Sequence, residues 1–435
     1  MHMGASVAAY RLGLLALLGA LAALGADSAP AAPLLAFGFL ILGMICLTGA
    51  EMPRLPSGVI WAGAGVLFVL LVGQSIVVLS GQGQEGGAVA QEGVVLMAGI
   101  ACFILGRVAA LETKAADRAM AWFMAALVVV AVLSFIDFVA APEQVFGRAK
   151  PFHQDRLTGP FLSANTAATF FAVSTVLAFG HLLRAARGAE GSVVRALERV
   201  GRRALLPLIL FVFALTALLL TGSRAGLLVM IGSLGGLFLW DAMAARKGAG
   251  PSASKSLALG MSAFFILLIV LWWASGGIAQ DRLVGLQTDD AGRGVLWQAS
   301  WNAFLASPLW GHGLGRFTEA IAPHITEETA PILILQGAAH NLPLQWLLQT
   351  GVIGTLAAVA FLWALSRHLL AGLSKRRRQR TLIRTVIICG GLALVHGLVD
   401  YGVEIPAVFW TLCLLLGLGS GIADGRTATT NKRLS

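Results

Sequence analysis

The sequence predicts an all-α polytopic membrane protein of about 12 transmembrane helices. Two observations carry that prediction. Of 435 residues, 57% are hydrophobic and 12% charged, and the mean hydropathy is +0.83. Soluble domains carry about 25% charged and about 45–50% apolar residues, so a soluble enzyme, a disordered chain and a secreted disulfide scaffold are excluded. The apolar residues also fall into runs, bounded by Gly, Pro or charge, long enough to cross a bilayer as helices of about 20 residues.

In chain order the runs lie near 9–26, 34–50, 58–80, 93–111, 119–141, 161–183, 204–221, 225–243, 257–276, 341–365, 383–399 and 406–423. The first follows Arg11 and has the look of a short leader, but is read here as a span. Cys46, Cys102, Cys389 and Cys413 all lie inside apolar runs and read as small packing residues, not as disulfides or metal ligands. Between spans 9 and 10 runs the longest connection, 277–340, and another sizeable one covers 142–160.

Orientation follows from the basic residues. With the N-terminus inside, the cytoplasmic segments hold 24 of the 31 Lys and Arg. That bias places both termini in the cytoplasm. The run Lys375–Arg380 is then an anchor against anionic lipid, not a nucleic-acid site. Seven basic residues remain outside: Arg148, Lys150, Arg156, Arg224, Arg282, Arg293 and Arg316. They break the rule, so they need another reason.

Candidate chemistry clusters on that outer side. Ser223 is a good helix cap and puts Arg224 in the first turn of the next helix. A helix start with a guanidinium suits a phosphate; interfacial snorkelling is the plainer reading. The long connection carries Arg282, the pair Asp289-Asp290, then Arg293 near Trp297. Two adjacent loop carboxylates are ordinarily solvated, so no metal site is assigned. The segment from Pro308 through Gly311, Gly313 and Gly315 to Arg316 and Phe317 reads as turns that let backbone pack closely. His340-Asn341 opens the tenth span, where the imidazole can be a general base or a cap. His396 and Asp400, spaced i, i+4, would share a helix face and hold its end, and Glu404 would continue that row. Asn165, entering the sixth span, caps that helix or binds a sugar hydroxyl.

Together these pieces resemble the O-antigen ligase and polymerase superfamily of bacterial envelope glycan enzymes. The resembling residues are Gly159-Pro160-Phe161 with Asn165; Ser223-Arg224-Ala225-Gly226; Arg293 with Trp297; Pro308, Gly311, Gly313, Gly315 and Phe317; His340-Asn341-Leu342 with Gly351; and His396 to Tyr401. They run in the family's order over 157–406, inside what reads as one membrane-embedded domain, 1–435. A Glu is usual where this chain has Gln349, so no acid–base role rests there.

The resemblance implies a GT-C-type glycosyltransferase, closest to the ligases. Such an enzyme moves a glycan from an undecaprenyl-diphosphate carrier to a sugar of lipid A–core on the periplasmic face of the inner membrane, with inversion and without metal or other cofactor. His340 would be the catalytic base, and Arg224 and Arg293 would bind the diphosphate. Arg156, Asn165, Arg282, Arg316, Asn341 and Asp400 are further candidate contacts. The partners implied are the donor, the acceptor and membrane lipid, with no nucleic acid. Polymerases of O-antigen or exopolysaccharide, and protein O-oligosaccharyltransferases, share the donor and are the alternatives within the class. A small-anion transporter is the alternative outside it. Its site would lie near the bilayer midplane between repeats, whereas the candidate residues lie near the outer surface and the two halves show no repeat.

Overall fold

The computed structural model describes residues 2–26, 31–49, 55–77, 79, 86–186, 193–246 and 286–425. These are helical almost throughout, as apolar segments in lipid must be to satisfy their own backbone groups. The long helices are α1 (His2–Ala22), α2 (Ala31–Gly49), α3 (Ser57–Val77), α4 (Gly86–Ala109), α5 (Thr113–Ala140), α6 (Ala164–Ala186), α7 (Val193–Leu220), α8 (Arg224–Arg246) and α9 (Leu286–Ala306). Two short ones, α10 (Phe317–Ile321) and α11 (Ala330–Leu333), precede α12 (Leu342–Lys375), α13 (Arg380–His396) and α14 (Pro406–Asp424). A two-stranded hairpin, β1 (Gln144–Val145) against β2 (Arg148–Ala149), follows α5.

Among the described residues, eight helices are long and apolar enough to cross a membrane, and they lie in α3 to α8, α12 and α14. Shorter apolar helices, Val7–Ala22 and Ala31–Leu47, occupy the first two expected spans. The 17-residue α13 occupies the eleventh. The chain is thus an all-α polytopic membrane protein. The expected span 257–276 and Arg282 lie outside the described residues. From residue 286 the long connection is largely helical.

The chain divides into two compact units. One comprises 1–120, 288–377 and 397–435; the other comprises 121–287 and 378–396. In the first, α4 and α14 touch backbone to backbone. A Cβ at Gly106 would meet the Leu414 carbonyl, and one at Gly417 the Phe103 carbonyl. Small residues of this kind hold helices together in lipid, where no hydrophobic force draws them. The same interface ends in a part-buried ion pair, Arg107 to Asp424 at 2.8 Å. In the second unit α6 is the central helix, packed on α7, α8 and α13. There Arg384 pairs with Asp241 at 2.6 Å.

Helix α12 is broken at Gly351, whose φ of 63° and ψ of −171° are far from helical. The segment 308–313 fills the break. Amides of His312 and Gly313 donate to the Leu348 and Gln349 carbonyls, each at 2.9 Å. In return the Val352 and Ile353 amides donate to Pro308 and Leu309. A kink within an apolar helix frees backbone groups that must find partners, and here a second strand of backbone supplies them. The expected close packing around Gly311 and Gly313 is therefore real, and its partner is the interrupted ladder of α12.

Candidate functional site

The break leaves a separate first segment of α12, and its start carries the most promising side chains of the first unit. Asn341 is the cap: its Oδ1 accepts from the Leu344 amide at 3.0 Å. Its Nδ2 donates to the Leu398 carbonyl at 2.8 Å, so both ends of the amide are already engaged. His340 therefore stands just outside the helix and is not its cap. It adopts a φ of 50°, and a non-glycine residue held in the left-handed region costs about 1–3 kcal/mol. Such a conformation persists only where neighbours impose it.

Those neighbours come from the turn after α13. Asp400 Oδ1 lies 3.5 Å from His340 Nδ1, with the carboxylate 1% exposed and the imidazole 27% exposed. That is ion-pair range, longer than a hydrogen bond. Asp400 Oδ2 accepts from the Gly402 amide at 3.0 Å, and Tyr401 packs edge-on against the imidazole at 4.7 Å. A buried carboxylate, an aromatic edge and a partly exposed imidazole make a unit suited to accepting a proton from a bound hydroxyl.

The expected pairing of His396 with Asp400 does not form. Helix α13 ends at His396, so the i, i+4 geometry is lost. Just past the helix end, the Gly397 carbonyl accepts from the Leu342 amide at 2.7 Å, and the Leu398 carbonyl from Asn341. His396 instead meets Thr169 in the second unit, Nδ1 to Oγ1 at 2.7 Å.

Helix α9 connects Arg293 to the His340 segment. Leu296, Ala299 and Ala303 on α9 share one apolar cluster with Phe317, Ala339 and Leu348. Arg293 lies on the same helix row one turn earlier. It is half-buried. Trp297, on that row, keeps its indole N–H buried with no hydrogen-bond partner. Arg316 is half-buried as well, its aliphatic stem against Gly313.

In the second unit the Thr221–Arg224 turn has the expected cap. Ser223 Oγ accepts from the Gly226 amide at 3.3 Å, and Arg224 opens α8. Gly226 is required there, since a Cβ would press on Ala168 at 2.7 Å. Arg156 braces the turn: its Nε donates to the Thr221 carbonyl, and the Leu157 amide donates to Leu220. Its role in the structure is thus to hold the turn that bears Arg224. At the start of α6 the cap is Ser163, whose carbonyl accepts from Ala167 and whose Oγ lies 3.5 Å from the Thr166 amide. Asn165 takes no part in that cap and sits half-buried one residue inside the helix.

Sequence reasoning missed one residue near His340, Gln345, and placed its partner Glu404 in a row with His396 and Asp400 instead. The only local signal was a glutamine in an apolar run. No cluster of three metal-ligating side chains occurs among the described residues.

Fold and site define a polytopic helical membrane protein with His340, Asp400 and Tyr401 gathered at the start of an interrupted helix. The O-antigen ligase family model matches residues 209–359, and the chain's resemblance to the O-antigen ligase and polymerase superfamily stands on that match. The matched region contains Arg224, Arg293, Arg316, His340 and Gly351, and leaves Arg156, Asn165 and Asp400 outside. It supports a ligase- or polymerase-type enzyme acting on glycans in a membrane. No curated protein matches the chain.

Proposed function

We propose that the protein is an O-antigen ligase of GT-C type. In this reading it moves a glycan from an undecaprenyl-diphosphate carrier to a sugar hydroxyl of lipid A–core at the periplasmic face of the inner membrane. The observation that carries the reading is His340, inside the matched region and set against buried Asp400. Asp400 favours the tautomer with the proton on Nδ1, which leaves Nε2 as the base. Nε2 takes the acceptor hydroxyl's proton as the oxygen attacks the anomeric carbon. The bond to the diphosphate breaks on the opposite face, and the configuration inverts. Arg224 and Arg293 meet the charge that develops on the leaving diphosphate; their planar, permanent cations suit its oxygens. Arg282 and Arg316 are secondary contacts in this scheme, and no metal is required by it.

The lipopolysaccharide banding of a deletion strain tests the function. Loss of a ligase leaves core uncapped while carrier-linked polymer accumulates. Core bearing a single repeat would make the protein a polymerase, and normal banding would refute both. Sidedness is tested separately. In a cysteine-free background, single cysteines at positions 224, 293 and 340 should react with a thiol reagent that cannot cross the inner membrane. Labelling of these positions only from the cytoplasmic side would overturn the orientation and the mechanism together.

A further inference from the structure

We infer that Gln345, backed by Glu404, is a positioning residue that holds the backbone at His340 and so aims the imidazole. The inference rests on the reading of His340 as the base. A left-handed histidine needs anchors on both sides. Asn341 supplies the following one, as the cap of α12. The preceding one is the Ala339 amide, which donates to Gln345 Oε1 at 2.7 Å. Gln345 is 2% exposed, and the helix start has no other use for it, because Asn341 already serves as the cap. The other end of its amide reaches the Glu404 carboxyl.

Glu404 belongs to the turn that embraces the imidazole. Its amide donates to the Tyr401 carbonyl at 2.7 Å. Five consecutive residues therefore supply the carboxylate facing Nδ1, the ring packed on the imidazole, and the group behind Gln345. A shift of this turn would move the imidazole's partners and its backbone anchor together. Burial first, then the like charge of Glu92 on α4, pushes the Glu404 carboxyl up to about 8, against the opposing pull of the Gln345 hydrogen bond. Near neutral pH Glu404 is mostly the uncharged acid, whose carbonyl oxygen accepts from the Gln345 amide. A glutamine at 404 would reproduce that contact; a leucine would not.

The test uses the full-length protein, with carrier-linked glycan and uncapped lipid A–core both extracted from a strain lacking it. Misplacing a reacting group by about 1 Å can cost about 10²-fold in rate. Gln345→Leu should accordingly lose about 10- to 100-fold in kcat with the donor KM unchanged. Glu404→Leu should fall in the same way, and Glu404→Gln should restore most of the turnover. If Gln345→Leu does not fold, the Glu404→Leu and Glu404→Gln pair decides the matter. Normal kcat in Gln345→Leu or Glu404→Leu, beside an inactive His340→Ala, would overturn the positioning role alone. So would equal damage in Glu404→Gln and Glu404→Leu. Near-normal turnover of His340→Ala would instead remove the base reading, and this inference with it.

Discussion

His340→Ala is expected to fold and to bind the carrier-linked donor nearly as well as the wild type, yet to turn over about 10²–10⁴-fold more slowly, the usual contribution of a general base. The imidazole is partly exposed and caps no helix, so its removal leaves the start of α12 intact. The arginines should behave differently. Arg224→Lys keeps the charge and loses the planar fork, and Arg293→Ala leaves part of the leaving diphosphate unmatched. Each should cost about 10²–10³ in rate and should also weaken donor binding. The measurement is donor affinity set beside single-turnover rate for each purified variant. A folded His340→Ala protein with near-normal turnover would leave the base unidentified.

Gly351→Ala is expected to damage the fold severely. At a φ of 63° and ψ of −171° the backbone lies in a region open essentially only to glycine. A Cβ there would also strike the Leu309 carbonyl and approach the Trp310 amide to 2.6 Å. Relief requires segment 308–313 to withdraw from α12. The Leu348 and Gln349 carbonyls and the Val352 and Ile353 amides would then lose their partners. In lipid each unsatisfied backbone group costs on the order of several kcal/mol. The expected result is a variant that fails to accumulate as a monodisperse species, read by size-exclusion chromatography of detergent extracts. Gly391→Ala is the control: a Cβ there meets nothing within 4 Å, and exchange inside a helix should gain about 0.5–1 kcal/mol. Equal yields of the two variants would refute the account of the break.

Much of the architecture was legible in the sequence because it depends on local pattern. Apolar runs bounded by charge and glycine identify helices, since lipid leaves their backbone no other solution. Ser223 announced its cap, and the glycines of 311–315 announced close backbone approach, because both depend on a residue's own geometry. The His340-Asn341 start was legible too, although not which of the two caps the helix. That answer lies in Asn341 Oδ1, which accepts from the Leu344 amide while the Leu398 carbonyl, 57 residues away, holds the other end of the side chain.

What only the tertiary structure decided is pairing over distance. The i, i+4 spacing of His396 and Asp400 pointed to a mutual contact, but that rule holds only while a helix continues. Here α13 stops at His396, the carbonyls of Gly397 and Leu398 bond to the start of α12, Asp400 faces His340, and His396 meets Thr169. Gln345 escaped notice for the same reason, and Glu404 was read into the His396 and Asp400 row. By itself Gln345 is a glutamine in an apolar run; its burial and its bond to the Ala339 amide give it a role. The sequence by itself determined the helices, the family resemblance and the residue types available for chemistry. The partner of each polar group was left to the fold, because a buried donor or acceptor must bond to whichever group is brought beside it.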